Sequence, residues 1–191
     1  WLMRIISGSM RGTKLYTLEG ENTRPTLDRV KEALFSKINI ILEDATVLDL
    51  FSGSGALGLE SLSRGAKSAV LCDSSREAMK IIKQNVEKTR TSDSTLLLNF
   101  DYKRALENLR NEQFDIIFLD PPYKTDFAED AIKIIYNMNL LKEDGLIVLE
   151  TDNKEKVINN LDTQIIEIKD LKKYGRVYLL FLKFISRKGM E

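Results

Sequence analysis

From Ala45 onward, short apolar runs alternate with longer stretches in which apolar residues return every three or four positions. The runs 46–51, 68–73, 95–100, 114–120, 145–150, 164–171 and 176–184 predict strands. The stretches 56–64, 75–88, 102–109, 127–138 and 154–160 predict helices. In 75–88, Ala78, Ile81, Ile82 and Val86 fall at helical spacing, and Ser75 stands where it can cap the start. Strands alternating with helices predict an α/β fold with a parallel sheet covered on both faces. Ligands in such sheets sit at the carboxyl ends of the strands, near the point where strand order reverses. The last two strands, with the short link Lys172-Lys173-Tyr174-Gly175, predict an antiparallel hairpin at one edge. Residues 3–40 read differently: a basic start with strand character, a loop over 20–26, and a helix from about Thr26 to Leu42. One domain with an N-terminal extension is expected, since no repeat or low-complexity segment divides the chain.

Composition narrows the chemistry. At 191 residues, 43% hydrophobic and 30% charged, the chain has the make-up of an ordinary globular domain. No apolar run approaches the roughly 20 residues that span a bilayer, and no signal peptide is recognisable, so a cytoplasmic protein is expected. Trp1-Leu2 precede Met3, which is the expected natural start. The absence of histidine removes Ser-His-Asp and Cys-His catalysis and His-ligated zinc. The single cysteine, Cys72, follows Ala69-Val70-Leu71 and reads as a buried small hydrophobe. Net charge is zero but unevenly spread: residues 1–40 carry seven Lys/Arg against four Asp/Glu, and residues 169–191 seven against two. Basic ends around an acidic centre suit a one-sided field for phosphates, or simply solvated termini.

The first strand of the sheet runs into D-L-F-S-G-S-G-A-L-G-L-E (49–60), where Gly53, Gly55 and Gly58 match G-x-G-x-x-G in a strand-to-helix turn. Glycines there let the backbone approach a ligand at a helix N-terminus. Asp73 ends the next strand, where a carboxylate can accept from two vicinal ribose hydroxyls. The pattern alone admits a dinucleotide or S-adenosyl-L-methionine. Asp49, close before the glycines, would repel a pyrophosphate and attract an ammonium. With Asp73 and Asp101 it forms an acidic rim at the strand ends, which favours the methyl donor over NAD.

The fourth strand stops at D-P-P-Y (120–123). Two successive prolines lack N–H groups, so no ladder continues through them. Exocyclic base amines are poor nucleophiles because their lone pair is delocalised into the ring. The Asp120 carboxylate and the Pro121 carbonyl are placed to accept the two amine hydrogens and localise that lone pair. The rigid turn, with Pro122, needs little reorganisation to do so. Tyr123 can stack on a base taken out of its helix. A stiff structural turn is the alternative, but it would not require a glycine loop at the same end of the same sheet.

Together the two motifs resemble the Asp-Pro-Pro-Tyr class of amino-methyltransferases. M-R-I-I-S-G (3–8), Arg11-Gly12, Lys14-Leu15 and R-P-T-L-D-R-V-K-E-A-L-F (24–35) narrow the resemblance to the RsmD family, over nearly the whole chain from Met3 to about Tyr178. The resemblance implies a Rossmann-like, seven-stranded, mostly parallel sheet with helices on both faces and an antiparallel C-terminal strand. Residues 1–40 would form the basic extension with its lead-in helix, and 41–191 the S-adenosyl-L-methionine-dependent methyltransferase domain. It implies methylation of the N2 amine of a guanine in bacterial 16S ribosomal RNA, in an assembled or partly assembled small subunit; nothing in the sequence demands more than a monomer, and the amine-acceptor mechanism needs no metal. Asp120, Pro121, Pro122 and Tyr123 would be catalytic. Thr26, Asp49, Phe51, Gly53, Gly55, Asp73, Ser74 and Asp101 would hold the donor. The second strand ends Leu71-Cys72-Asp73, with one acid where relatives often have two. Arg4, Arg11, Arg24, Arg29, Lys172 and Arg176, with Lys173, are the expected RNA contacts. N6-adenine methylation, a NAD-dependent oxidoreductase and a non-catalytic RNA-binding module are the competing readings.

Overall fold

The computed structural model describes residues 3–18 and 25–186, without the side chains of residues 25–27. Seven strands form one sheet: β1 (Thr46–Asp49), β2 (Ser68–Cys72), β3 (Thr95–Leu98), β4 (Phe114–Leu119), β5 (Leu141–Thr151), β6 (Ile166–Tyr174) and β7 (Val177–Phe184). Their order is β3-β2-β1-β4-β5-β7-β6. β1 to β5 are mutually parallel, and β7 inserts antiparallel between β5 and β6. Among the described residues six α-helices accompany them: α1 (Pro25–Leu42), α2 (Ala56–Ser63), α3 (Arg76–Thr89), α4 (Tyr102–Asn108), α5 (Phe127–Asn137) and α6 (Lys154–Asn160). The neighbours β1 and β4 are far apart in sequence, and strand order reverses between them.

The period-2 alternation of each strand divides the core into two layers. Val47, Ile116, Phe118, Val148 and Phe181 face α1, α2 and α3, whereas Leu48, Ile117, Leu119, Leu149 and Leu182 face α4, α5 and α6. Ile5 and Leu15 of the N-terminal segment are fully buried in the first layer. That segment is also bonded to one carboxylate of α2. Glu60, itself 0% exposed, accepts from the Ile6 and Ser7 amides at 2.9 and 3.1 Å and from Arg64 Nε at 2.9 Å, with Lys31 Nζ at 3.3 Å. Burial pushes the Lys31 ammonium down, and the neighbouring Glu60 offsets part of that shift. Beyond it, the Met10 amide donates to Ser63 Oγ at 2.9 Å.

Two boundaries differ from the sequence reading. β5 begins at Leu141, because pairing with β4 resumes across a bulge between Phe114 and Ile116 after the polar stretch Lys142–Asp144. β6 runs on to Tyr174 and pairs it with Val177, so the hairpin turns at Gly175-Arg176, with Gly175 at φ 61°. Lys172 and Lys173 therefore lie on an edge strand, where charged residues suit the open side, and not in the link. The helix expected at 75–88 forms at Arg76–Thr89, and the Ser75 side chain accepts from the Ala78 amide. Thr26 falls in the first turn of α1 rather than in the loop before it.

Candidate active site

The loops that follow β1 and β4 open side by side at the reversal point. Leu50 N donates to Phe118 O at 3.3 Å, and Ser52 N to Cys72 O at 2.8 Å, so the glycine loop is anchored to strands on both sides. Gly53 (φ 57°) and Gly55 (φ 83°) adopt left-handed backbone, and Gly55 caps α2. Gly58 serves another purpose: a Cβ there would stand 2.2 Å from Leu71 Cδ2, so it allows α2 to lie close on β2. Asp73 Oδ2 accepts from the Gly53 amide and Oδ1 from the Ser75 amide, each at 2.9 Å. That carboxylate shapes the loop as well as facing the strand ends. Ser74 beside it is exposed.

Asp49 is 1% exposed, and neither carboxylate oxygen has a hydrogen-bond partner; the Ser52 hydroxyl is orphaned too. Burial pushes the Asp49 carboxyl up to about 7, with repulsion from Asp73 adding to the shift. Ser52 and the Gly58 amide are near enough to oppose it in part, but not in hydrogen-bonding geometry. A buried acceptor without a donor is costly, and an ammonium group from a ligand would complete it. Asp101 caps α4 through Oδ1, which accepts from the Lys103 and Arg104 amides at 3.0 and 3.1 Å. Phe51, half-buried, stacks on Phe127 with centroids 6.4 Å apart and an angle of 10°, and Tyr102 tilts against both. The Tyr102 hydroxyl donates to Asp130 at 2.6 Å.

β4 ends at Leu119, leaving Asp120 half-buried at its carboxyl end. The turn beyond is braced by Thr125 Oγ1 donating to Pro122 O and Lys156 Nζ donating to Thr125 O, both at 2.8 Å. Tyr123 is 51% exposed. Partial burial, then the Glu150 and Asp120 carboxylates, push its hydroxyl up to about 12. Beside the turn lies a cavity of about 400 Å³, lined by Pro121, Pro122, Tyr123, Glu150 and residues of α5 and α6.

The structure thus brings Asp49, Phe51, Gly53, Gly55, Asp73, Asp101, Asp120, Pro121, Pro122 and Tyr123 to one end of the sheet. The basic residues are less unified. Lys172, Lys173 and Arg176 lie at the end of the β6–β7 hairpin beyond Thr151, since Lys173 pairs with Tyr178 and Tyr178 with Thr151. Arg4 pairs loosely with Asp28 at 3.9 Å, Arg29 is exposed on the same helix, and Lys37 farther along that helix bonds Asp170 of β6. Helix α1 therefore links these two groups. Arg11 is apart: its turn sits at the C-terminal end of α2, where the Ser9 amide donates to Ser63 O, at the end of the strands opposite the site. Arg24 lies outside the described residues, as does the Thr26 side chain. The site also contains Asn85, invisible in the sequence except as a polar residue between Ile82 and Val86 on an apolar helix face. It is 0% exposed, accepts from the Tyr16 amide at 2.8 Å, and donates to Tyr16 O and Ser54 O, tying the N-terminal segment to the glycine loop.

The chain matches the family described as conserved hypothetical protein 95 over residues 3–183. It is 37% identical to ribosomal RNA small subunit methyltransferase D of Haemophilus influenzae, over 82% of both chains. It is 34% identical to the protein of that name from Escherichia coli K12, over 78% of this chain and 75% of the relative. A solved Escherichia coli protein named as a methyltransferase superposes with TM-score 0.82 at 29% identity, covering 96% of this chain and 98% of that one. A more distant structure solved with SAH shares the fold at TM-score 0.63 and 17% identity, covering 79% and 49%. The fold is that of the Rossmann-like methyltransferases. Within that class the chain belongs to the RsmD family.

Proposed function

We propose that this protein methylates the exocyclic N2 amine of a guanine in 16S ribosomal RNA. The observation that carries the reading is the shared crevice: the glycine loop and the Asp-Pro-Pro-Tyr turn open together at the carboxyl ends of the neighbouring strands β1 and β4. The names of the family relatives point to small-subunit ribosomal RNA. Bound S-adenosyl-L-methionine supplies an electrophilic methyl group. Asp49 meets its ammonium, the Gly53–Gly55 backbone gives it room, and Asp73 and Asp101 face its nucleoside. Asp120 and the Pro121 carbonyl accept the hydrogens of the target amine, orienting its lone pair, and the exposed Tyr123 ring stacks on the extruded base. A buried carboxylate against the glycine loop disfavours a dinucleotide, whose pyrophosphate would be repelled.

Labelled donor and small subunits lacking the modification test the reading. Label in N2-methylguanosine supports it; label in N6-methyladenosine keeps the mechanism and moves the target to adenine. Donor binding with no transfer to any ribosomal substrate favours a binding module.

Two further results are expected. The raised Asp49 carboxyl is protonated in the folded protein at pH values where the unfolded chain is ionised. Its contribution to stability is therefore complete below about 4 and is lost as pH rises through about 7. An ammonium favours the ionised form, so donor affinity measured by calorimetry should climb between pH 5.5 and 8, and Asp49→Asn should flatten that climb. An identical pH profile in the variant would remove Asp49 from the donor site. Replacing Lys172 and Arg176 together with Ala should weaken RNA binding and reduce the slope of log K against log salt by about 1–2, with donor affinity unchanged. An unaltered slope would take the hairpin out of the RNA surface.

A further inference from the structure

The cavity beside the Pro121-Pro122-Tyr123 turn holds chemistry that the methyl-transfer residues leave unused. β4 and β5 are parallel neighbours paired Leu119↔Leu149, so Asp120 follows directly on the end of one strand where Glu150 continues the other. Glu150 and Tyr123 both line the cavity, Asp120 directly precedes its Pro121, and both carboxylates act electrostatically on the Tyr123 hydroxyl. The cavity's volume of about 400 Å³ falls in the range of small-ligand pockets. Four carboxylates line it against two lysines, so it is rich in acceptors. One of them, Glu129 in the first turn of α5, is 7% exposed and has a buried Oε1 without a hydrogen-bond partner. Glu150 is withdrawn from water as well, and burial pushes its carboxyl up. Buried acceptors call for a ligand edge that presents hydrogen-bond donors.

We infer that this cavity receives the Watson–Crick edge of the target base, with Glu150 accepting the N1–H of guanine while Asp120 and Pro121 hold the adjacent N2 amine. The inference rests on the guanine-N2 reading and assigns the residue that reads the base. Guanine presents N1–H and N2–H₂ as contiguous donors, matching two neighbouring carboxylates. Adenine presents an N1 acceptor beside its amine, and Glu150 would face that acceptor lone pair to lone pair. Selection of guanine then arises from one strand-end pair, Asp120 for the amine and Glu150 for the ring nitrogen. No proton moves at Glu150: it accepts a hydrogen bond and excludes the base that cannot give one. Glu150 is thus a specificity residue, separate from the amine activation at Asp120.

The test uses a base that keeps the N2 amine but lacks N1–H. Once the modified nucleotide is mapped, small subunits are reconstituted with guanine or 2-aminopurine at that position, and transfer is measured with the full chain and its Glu150→Gln variant. A hydrogen bond to a charged acceptor discriminates by about tenfold to a hundredfold, so the wild type should prefer guanine by that factor. In Glu150→Gln the amide offers a donor to the 2-aminopurine N1, and the preference should shrink toward parity while donor affinity, measured separately, stays the same. If Glu150→Gln keeps the full preference, or loses both activities in equal proportion, Glu150 does not read the base, although the guanine-N2 reading stands. If the wild type methylates no guanine at all, the functional reading fails and this inference falls with it. A preserved preference in Glu150→Gln that collapses instead in Glu129→Gln would also overturn the assignment.

Discussion

Asp120→Ala should lower kcat/KM for methyl transfer by at least about 10²–10³-fold and leave donor affinity essentially unchanged. The expectation follows from where the residue stands. It caps the carboxyl end of β4, half-buried, beside a turn fixed by two prolines and by the Thr125 and Lys156 hydrogen bonds. The donor, by contrast, is proposed to lie on the β1 loop with Asp49, Asp73 and Asp101. An acceptor that acts on the amine contributes in the transition state, when the lone pair turns toward the methyl group, and adds little to donor binding. The loss should therefore fall on kcat, with KM for the donor moving little. Asp120→Asn, which keeps a carbonyl acceptor without the charge, should recover part of the rate. Near-normal turnover in Asp120→Ala would dismiss amine activation by this turn, whatever base is modified.

The largest effect on stability should come from Glu60→Ala. The side chain lies fully buried at the junction of three segments, where it receives two backbone amides from the N-terminal segment, the Arg64 guanidinium and the Lys31 ammonium. Lys31 and Arg64 are themselves more than nine-tenths buried at their side chains. Removing the shared acceptor strands two N–H groups and leaves two buried cations without their counter-charge, although Lys31 keeps its bond to the Arg4 carbonyl. Breaking one buried ion pair costs about 3–5 kcal/mol, because the partner's charge is left without compensation. Glu60→Ala should lose at least that much in a urea titration with unchanged slope. Glu60→Gln, which keeps an acceptor, should lose less. A destabilisation below about 1 kcal/mol would show that the N-terminal segment is held mainly by Ile5 and Leu15 in the core.

The parts of the site that sequence made legible are those encoded by backbone restriction. Glycines at positive φ and paired prolines mark a turn wherever they occur, so the loops after β1 and β4 stand out before any contact is known. Strand alternation likewise separates the two core layers, since Ile117 and Phe118 must face opposite ways. Glu60, Asn85, Glu129 and Glu150 gave no such signal. Each is a polar residue in an ordinary helical or strand position, and its burial depends on chain far away: Glu60 on Ile6 and Ser7, Asn85 on Tyr16. The start of β5 and the end of β6 differ from the sequence reading for a related reason. Lys142–Asp144 and Lys172-Lys173 look like loops by composition, and only the ladder with their neighbours makes them strand. The basic residues show the same limit, as proximity in sequence to Arg4 did not bring Arg11 to the same end of the sheet.

The seam between β1 and β4 has a consequence for how the protein is made. Its ladder joins Val47 to Ile116 and Asp49 to Phe118, so it cannot close until the ribosome has released more than half the chain. The strands β1 to β3 have nearer partners in sequence and can pair earlier, as can β4 with β5. The crevice is thus a joint between an early half and a late half of the nascent polypeptide. A donor molecule bridging both lips would act as a clasp on newly synthesised protein, binding the closed form and drawing the two halves together by mass action.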